Sequence, residues 1–237
     1  MSANAITPSW GFIGKIPAKG DFIKQDLPKP FADLFHDWQQ AIIAVSKEQL
    51  QETWQSHFLN APIWHFALDS GVTNDATIIG TMIPSVDAAG RYFFFTLARP
   101  VLGDAVSYWS CRDWANESQE LALTVLDDHF TFDVWRQNLQ SGTELINAIS
   151  AETLPVSQKK LNGENLFIKE HTETNVMSLL SHVVRQQFPK PCYWWTDGND
   201  AIEPADDARY GWFTTNWQIC RNVGWTMAEM ELVTVIE

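Results

Sequence analysis

Apolar positions fall into two periodicities along this chain, and their order sets the expected elements. Trp10–Ile16 is a short apolar segment ending at Pro17 and reads as a strand. Asp21 to Pro30 holds two prolines and reads as a turn-rich connector. From Phe31 the spacing changes. Phe31, Leu34, Phe35, Trp38, Ile42 and Val45 recur at i, i+3, i+4 and i+7, the signature of an amphipathic helix with its polar residues on the other face. Pro62–Leu68, Thr77–Ile83 and Arg91–Ala98 follow as strands. The last two are near-continuous apolar runs, as expected where both faces of a strand are covered. The link between them, Pro84 to Gly90, carries turn residues at both ends and suits a hairpin better than a crossover helix.

Beyond the strands, Asp104 reads as a helix N-cap, with a long helix running to about Asp128 and another over about Asp133–Ala148. A loop at 151–163 leads to a strand at Leu166–Lys169, a helix at Asn175–Phe188 and a strand at Cys192–Thr196. Asp197 to Asp200 is a turn, and the acidic loop to Asp207 is expected to be exposed. Tyr210–Trp217 and Trp225–Val235 are aromatic and carry no clear periodicity. Helices interleaved with doubly covered strands predict an α/β fold, a layered αβα sandwich with a mixed central sheet. The whole chain, 1–237, is expected to form one compact unit.

Composition agrees with a packed core. A 27.0 kDa globule buries roughly 70–75 % of its extended-chain surface, so no covalent staple is required. With 45 % apolar and 19 % charged residues, the chain is not disordered. Cys111, Cys192 and Cys220 are odd in number and far apart, which suggests buried thiols in a reducing compartment rather than a disulfide framework or a zinc site. The first residues lack the basic and apolar regions of a secretory signal, and no apolar run is long enough to cross a membrane, so a cytoplasmic protein is expected. The net charge of −13 speaks against nucleic acid, whose phosphates demand a basic surface. That charge is uneven: residues 101–150 carry two basic against eight acidic side chains. Such a stretch is either a solvated face or a docking surface for a basic partner.

Four clusters could carry chemistry. Gly14-Lys15 after a strand invites a phosphate-loop reading, but Ser9 and Ile16 stand where the motif needs glycine and a hydroxyl. A shaped turn with functional Lys15 and Asp21 remains. Ser85 and Asp87 could suggest nucleophilic chemistry, yet Ile83 and Asp87 occupy the glycine positions of a nucleophile elbow. Asp87 and Arg91 can instead pair across the turn, as a brace or as a binding edge. No two histidines lie three or four residues apart, so no helix offers a two-histidine metal face, and no cofactor or metal is expected. Trp194, Trp195, Trp212, Trp217 and Trp225 fit either an interface or the core.

Read together, three stretches carry a resemblance. Gly11-Phe-Ile-Gly-Lys-Ile-Pro-Ala-Lys-Gly-Asp-Phe22 is similar to the opening motif of the TagF (ImpM) family of type VI secretion-associated proteins. The helix with Phe31 and Trp38, Pro62-Ile-Trp-His-Phe66, and Ile79 to Phe94 with its Pro84-Ser-Val-Asp-Ala-Ala-Gly-Arg91 core match the family's next segments in order. Where the family's G-R-x-F-P-L run has proline, three residues after that arginine, this chain has Phe94, which predicts a continuous strand. The resemblance spans an N-terminal core of about 8–140; residues 141–237 are less typical and are expected to pack on it, apart from the Trp194-Trp-Thr-Asp-Gly198 stretch.

The resemblance implies an α/β sandwich without catalytic residues. It also implies a cytoplasmic repressor of type VI secretion that acts after translation by protein–protein binding. The implied partner is the forkhead-associated scaffold protein of the system, with its kinase and phosphatase pathway. Lys15, Asp21, Ser85, Asp87 and Arg91 are the candidate recognition residues. Two rivals stand beside this reading: a hydrolase using Asp21, Asp87 and Ser85 with a histidine supplied by the fold, and a structural subunit of the apparatus.

Overall fold

A computed structural model describes residues 9–73, 75–139, 146, 158–161, 165–168 and 190–198. Its centre is a six-stranded sheet built from β1 (Gly11–Gly14), β2 (Ile23–Gln25), β3 (Trp64–Leu68), β4 (Thr77–Val86), β5 (Tyr92–Val101) and β8 (Cys192–Trp195). The strand order is β2-β1-β5-β4-β3-β8, and every pairing in it is antiparallel. A mixed sheet was expected. The apolar runs of β4 and β5 suggested it, but their two-sided burial comes from helices on both faces of a hairpin sheet rather than from crossover connections. A separate ribbon pairs β6 (Gln158–Leu161) with β7 (Asn165–Ile168).

Alternation along the strands divides the core into two layers. On one face lie α1 (Lys29–Leu50) and α2 (Trp54–Leu59), whose Phe31, Phe35, Ile42 and Phe58 pack on Phe66, Met82, Phe94 and Trp194. Phe35 is fully buried and stacks within 5.1 Å of the Phe66 ring. Burying one such ring stabilises the fold by roughly 1.5–3 kcal/mol. On the other face lie α3 (Ala105–Ser110), α4 (Asp113–Leu123) and α5 (Phe132–Asn138), closing over Phe12, Ile79, Leu97, Tyr193 and Trp195. The αβα sandwich is therefore present. Trp194 and Trp195, adjacent on one strand, point into opposite layers and are core in both.

Several polar side chains inside each layer are paired. Gln39 of α1 donates to Thr96 Oγ1 at 2.8 Å, and Trp54 Nε1 donates to Ser46 Oγ at 2.8 Å, fastening α2 to α1. In the opposite layer His65 Nδ1 lies 2.8 Å from Thr81 Oγ1, which bonds Ser118 of α4. The Gln39, His65 and Thr81 bonds tie helices and a neighbouring strand to the sheet at a fixed register.

Several elements differ from the sequence reading. The connector before α1 contains the three-residue edge strand β2, too short to show a period. The single helix expected from Asp104 to about Asp128 is broken into α3, α4 and a 3-10 turn at Thr124–Leu126. The break has a cause: Trp114 Nε1 donates to the Tyr108 carbonyl and Arg112 Nε to the Trp109 carbonyl, satisfying the end of α3 with side chains. Part of the expected loop 151–163 is β6. Cys192 is buried, but Cys111 is exposed at the α3–α4 break, against the expectation of buried thiols. The helix at 175–188, the acidic loop to 207, the aromatic segments after 209, Cys220, Trp212, Trp217 and Trp225 lie outside the described residues, as do His171 and His182. No described helix is long and apolar enough to cross a membrane.

His65 sets a pH dependence. Burial lowers its pKa to about 4, the nearby Asp197 charge opposing, whereas the unfolded side chain titrates near 6.5. Between those values the unfolded chain binds a proton that the folded one excludes, so stability rises with pH across that window and is lost as pH falls through it. Denaturant titrations at pH 7 and pH 5 should show a loss of roughly 2 kcal/mol at pH 5 that is absent in His65→Gln. An equal loss in the variant would assign the effect to other groups.

Candidate functional site

The two sequence stretches richest in turn residues meet at one end of the sheet. β4 and β5 form a hairpin paired residue for residue from Thr77↔Val101 to Val86↔Tyr92, continuous through Phe94. Its turn is closed by Asp87, whose N–H donates to the Arg91 carbonyl and whose carbonyl accepts from Gly90. Gly90 has φ 75°, a conformation that glycine adopts without steric penalty. Asp87 Oδ1 accepts from the backbone N–H groups of Ala89 and Arg91, both at 2.9 Å, an Asx-type turn.

The second oxygen of Asp87 reaches across β5 to β1. Lys15 Nζ donates to it at 2.9 Å and Arg91 Nε at 2.7 Å. Lys15 is brought there by Gly14, which has φ 137°; a Cβ on it would stand 2.1 Å from the Phe94 carbonyl oxygen. Only glycine allows β1 to lie this close to β5 before turning outward. The loop after β1 is then stitched to the hairpin: Ala88 N–H donates to the Lys19 carbonyl at 2.9 Å, and Arg91 Nη2 donates to the Gly20 carbonyl.

Burial grades the cluster. The Asp87 side chain is 0 % exposed, that of Lys15 16 % and that of Arg91 59 %. Burial by itself would raise the Asp87 carboxyl. The Arg91 N–H, the Lys15 and Arg91 side chains and the Ala89 N–H outweigh it and hold the carboxyl below the ordinary carboxylate range. Asp87 is thus a permanently charged anchor with four donors, and the Asp87–Arg91 pair expected across the turn is formed. Behind it, Phe22 packs edge-on against Phe93 and His36.

The candidate residues therefore separate. Lys15, Asp87 and Arg91 form one ion cluster. Asp21 is exposed beside Gly20 on the outer surface of the same loop. Ser85 is buried, and its Oγ has no hydrogen-bond partner among the described residues. The histidine that a Ser85 nucleophile requires is not bonded to it among the described residues: His65 is engaged with Thr81, and His36 stacks on Phe93 and meets Phe22 edge-on. No group of three or more metal-ligating side chains occurs among the described residues. Sequence reasoning missed Lys19 and Gly20, which contribute through backbone carbonyls and leave no mark in side-chain type.

The chain matches the TagF N-terminal domain family, described as type VI secretion system-associated, over residues 11–141. Both halves of the ion cluster lie inside that match. No curated protein matches the chain. Among solved structures, the crystal structure of PA0076 from Pseudomonas aeruginosa PAO1 is similar in fold, with a TM-score of 0.65 and 22 % identity, covering 83 % of this chain and 86 % of that one.

Replacing Asp87 leaves the largely buried Lys15 ammonium without its counter-charge. Asp87→Ala should lower the thermal midpoint by roughly 10 °C, and Arg91→Ala by much less, because the arginine is mostly solvated. Thermal unfolding followed by circular dichroism checks this. A midpoint for Asp87→Ala within about 2 °C of the parent would remove the brace from the account.

Proposed function

The chain belongs to the TagF family of type VI secretion system-associated proteins, and from that premise we propose that it is a cytoplasmic repressor of the secretion apparatus, acting after translation by binding another protein. Its partner in this reading is the forkhead-associated scaffold protein of the system, within the kinase and phosphatase pathway. No bond need be made or broken. A repressor of this kind works if it binds the unassembled scaffold better than the assembled one, since only that difference shifts the equilibrium.

One observation carries the choice of surface. The outer face of the stitched loops presents Lys19, Gly20, Asp21 and Ala88 to Arg91, all exposed, on a frame that the buried Asp87 makes rigid. Gly20 is the informative residue. Its φ is outside the left-handed range and a Cβ added to it would meet nothing within 4 Å, so the fold has no need of glycine there. A bare backbone on a rigid, exposed loop suits close approach by a partner, where any side chain would hold the two surfaces apart. The ordering cost of binding is also low, because the loop is already fixed.

The test is calorimetric titration of the forkhead-associated protein from the same secretion system. The parent chain should bind at micromolar affinity or tighter, on the order of −8 kcal/mol. Gly20→Leu and Asp21→Arg should each weaken the complex about tenfold or more while leaving the thermal midpoint within about 2 °C. Unchanged affinity in both variants moves the contact off this loop, and no binding by the parent overturns the partner assignment.

A further inference from the structure

A second surface lies at the α4–α5 corner. Between the end of α4, the 3-10 turn after it and α5 there is a groove of about 260 Å³, lined by Leu121, Phe130, Val134 and Trp135. It is held open by a defined contact: Trp135 Nε1 donates to the Leu121 carbonyl at 2.8 Å, clamping α5 at a fixed distance from α4. The groove is preformed, not a gap between mobile segments.

Its surroundings are unusual for this molecule. Among the described residues five large apolar side chains are exposed, and three of them, Leu123, Leu126 and Val134, stand on these same three elements. Such a concentration marks an interaction site more often than scattered exposure does. The charge around it is one-sided. Asp127 lines the groove, and Glu120, Asp128 and Asp133 are exposed on the same stretch of chain; among the described residues Arg136 and Lys19 are the cations near them. The aromatic margin also accepts a cation already: Lys19 Nζ lies 4.7 Å from the centroid of the Phe132 ring.

We propose that this groove docks an amphipathic segment of a partner protein whose apolar side chains enter the groove and whose flanking lysines or arginines meet the acidic rim. The apolar floor supplies the affinity and the carboxylates supply the orientation and the rate of encounter. An acidic or neutral segment would meet uncompensated like charge or none at all. This surface adjoins the Gly20 loop through Lys19, and the proposal does not use the reading of that loop.

The probe is a fluorescein-labelled amphipathic peptide of leucine and lysine only, with leucines at helical spacing, followed by anisotropy at low salt. Its leucine–glutamate counterpart is the control. The full chain should bind the first saturably and the second not at all. Val134→Lys and Asp127→Lys should each weaken binding about tenfold, and Val134→Lys should leave the thermal midpoint unchanged, since Val134 is 57 % exposed. Glu48→Lys, an equal charge change on α1 across the sheet, should have no effect. Equal weakening by Glu48→Lys would mean that the peptide senses only the net charge, and would overturn the site. So would an absence of binding, or a chain dimer in sedimentation that Val134→Lys dissolves, which would give the groove to a second copy.

Discussion

A carboxylate taken out of water must find donors for its lone pairs, and the way Asp87 does so organises this end of the protein. Four donors reach it, two from the backbone of its own turn and two from cationic side chains, one of them 72 residues away in sequence. Losing the Lys15–Asp87 pairing leaves charge in a place that water hardly reaches, which is why such clusters hold loops in one conformation. The hairpin tip, the end of β1 and the loop after it are thereby one body. Everything proposed for the exposed face of that body, from the bare backbone at Gly20 to the reach of Arg91, depends on this fixed position.

The sheet supplies the frame and the two helical layers supply the insulation. Because β4 and β5 are covered on both faces, their side chains can be apolar almost without interruption, and the hairpin is stiff over its full length. The same two-sidedness explains why Thr81, Thr96 and His65 are each met by a polar partner from a helix or a neighbouring strand. A hydroxyl buried in such a sheet without an acceptor costs about as much as the bond it fails to make. Helix and strand positions are therefore locked together at a few polar points within a mostly apolar contact.

Much of this was legible in the sequence. The period-3.6 stripe from Phe31 to Val45 gave α1, and the two apolar runs around Pro84–Gly90 gave the central hairpin, because each signal is long and local. Asp87 and Arg91 could be paired from spacing alone. What could not be read was whatever depends on distant parts meeting: that Lys15 is the third member of the cluster, that two carbonyls of the next loop complete it, and that all pairings are antiparallel. The break between α3 and α4 was hidden for a related reason. It is made by indole and guanidinium groups capping carbonyls, whereas sequence rules look for glycine and proline. Ser85 stands out by residue type alone; its side chain is buried in β4, without a bonded histidine among the described residues.

The position of β8 has a consequence for how the protein is made. β3 pairs on one side with β4, which follows it closely, and on the other with Cys192–Trp195, far along the chain. At ordinary rates of synthesis β3 waits on the order of ten seconds after emerging before its outer neighbour exists. Throughout that time a strand reading Trp64-His-Phe-Ala-Leu68 presents an open row of backbone donors and acceptors. The nascent chain thus passes through a state with a sticky edge, and its yield in the cell depends on how well chaperones or the ribosome surface shield that edge until the last strand of the sheet arrives.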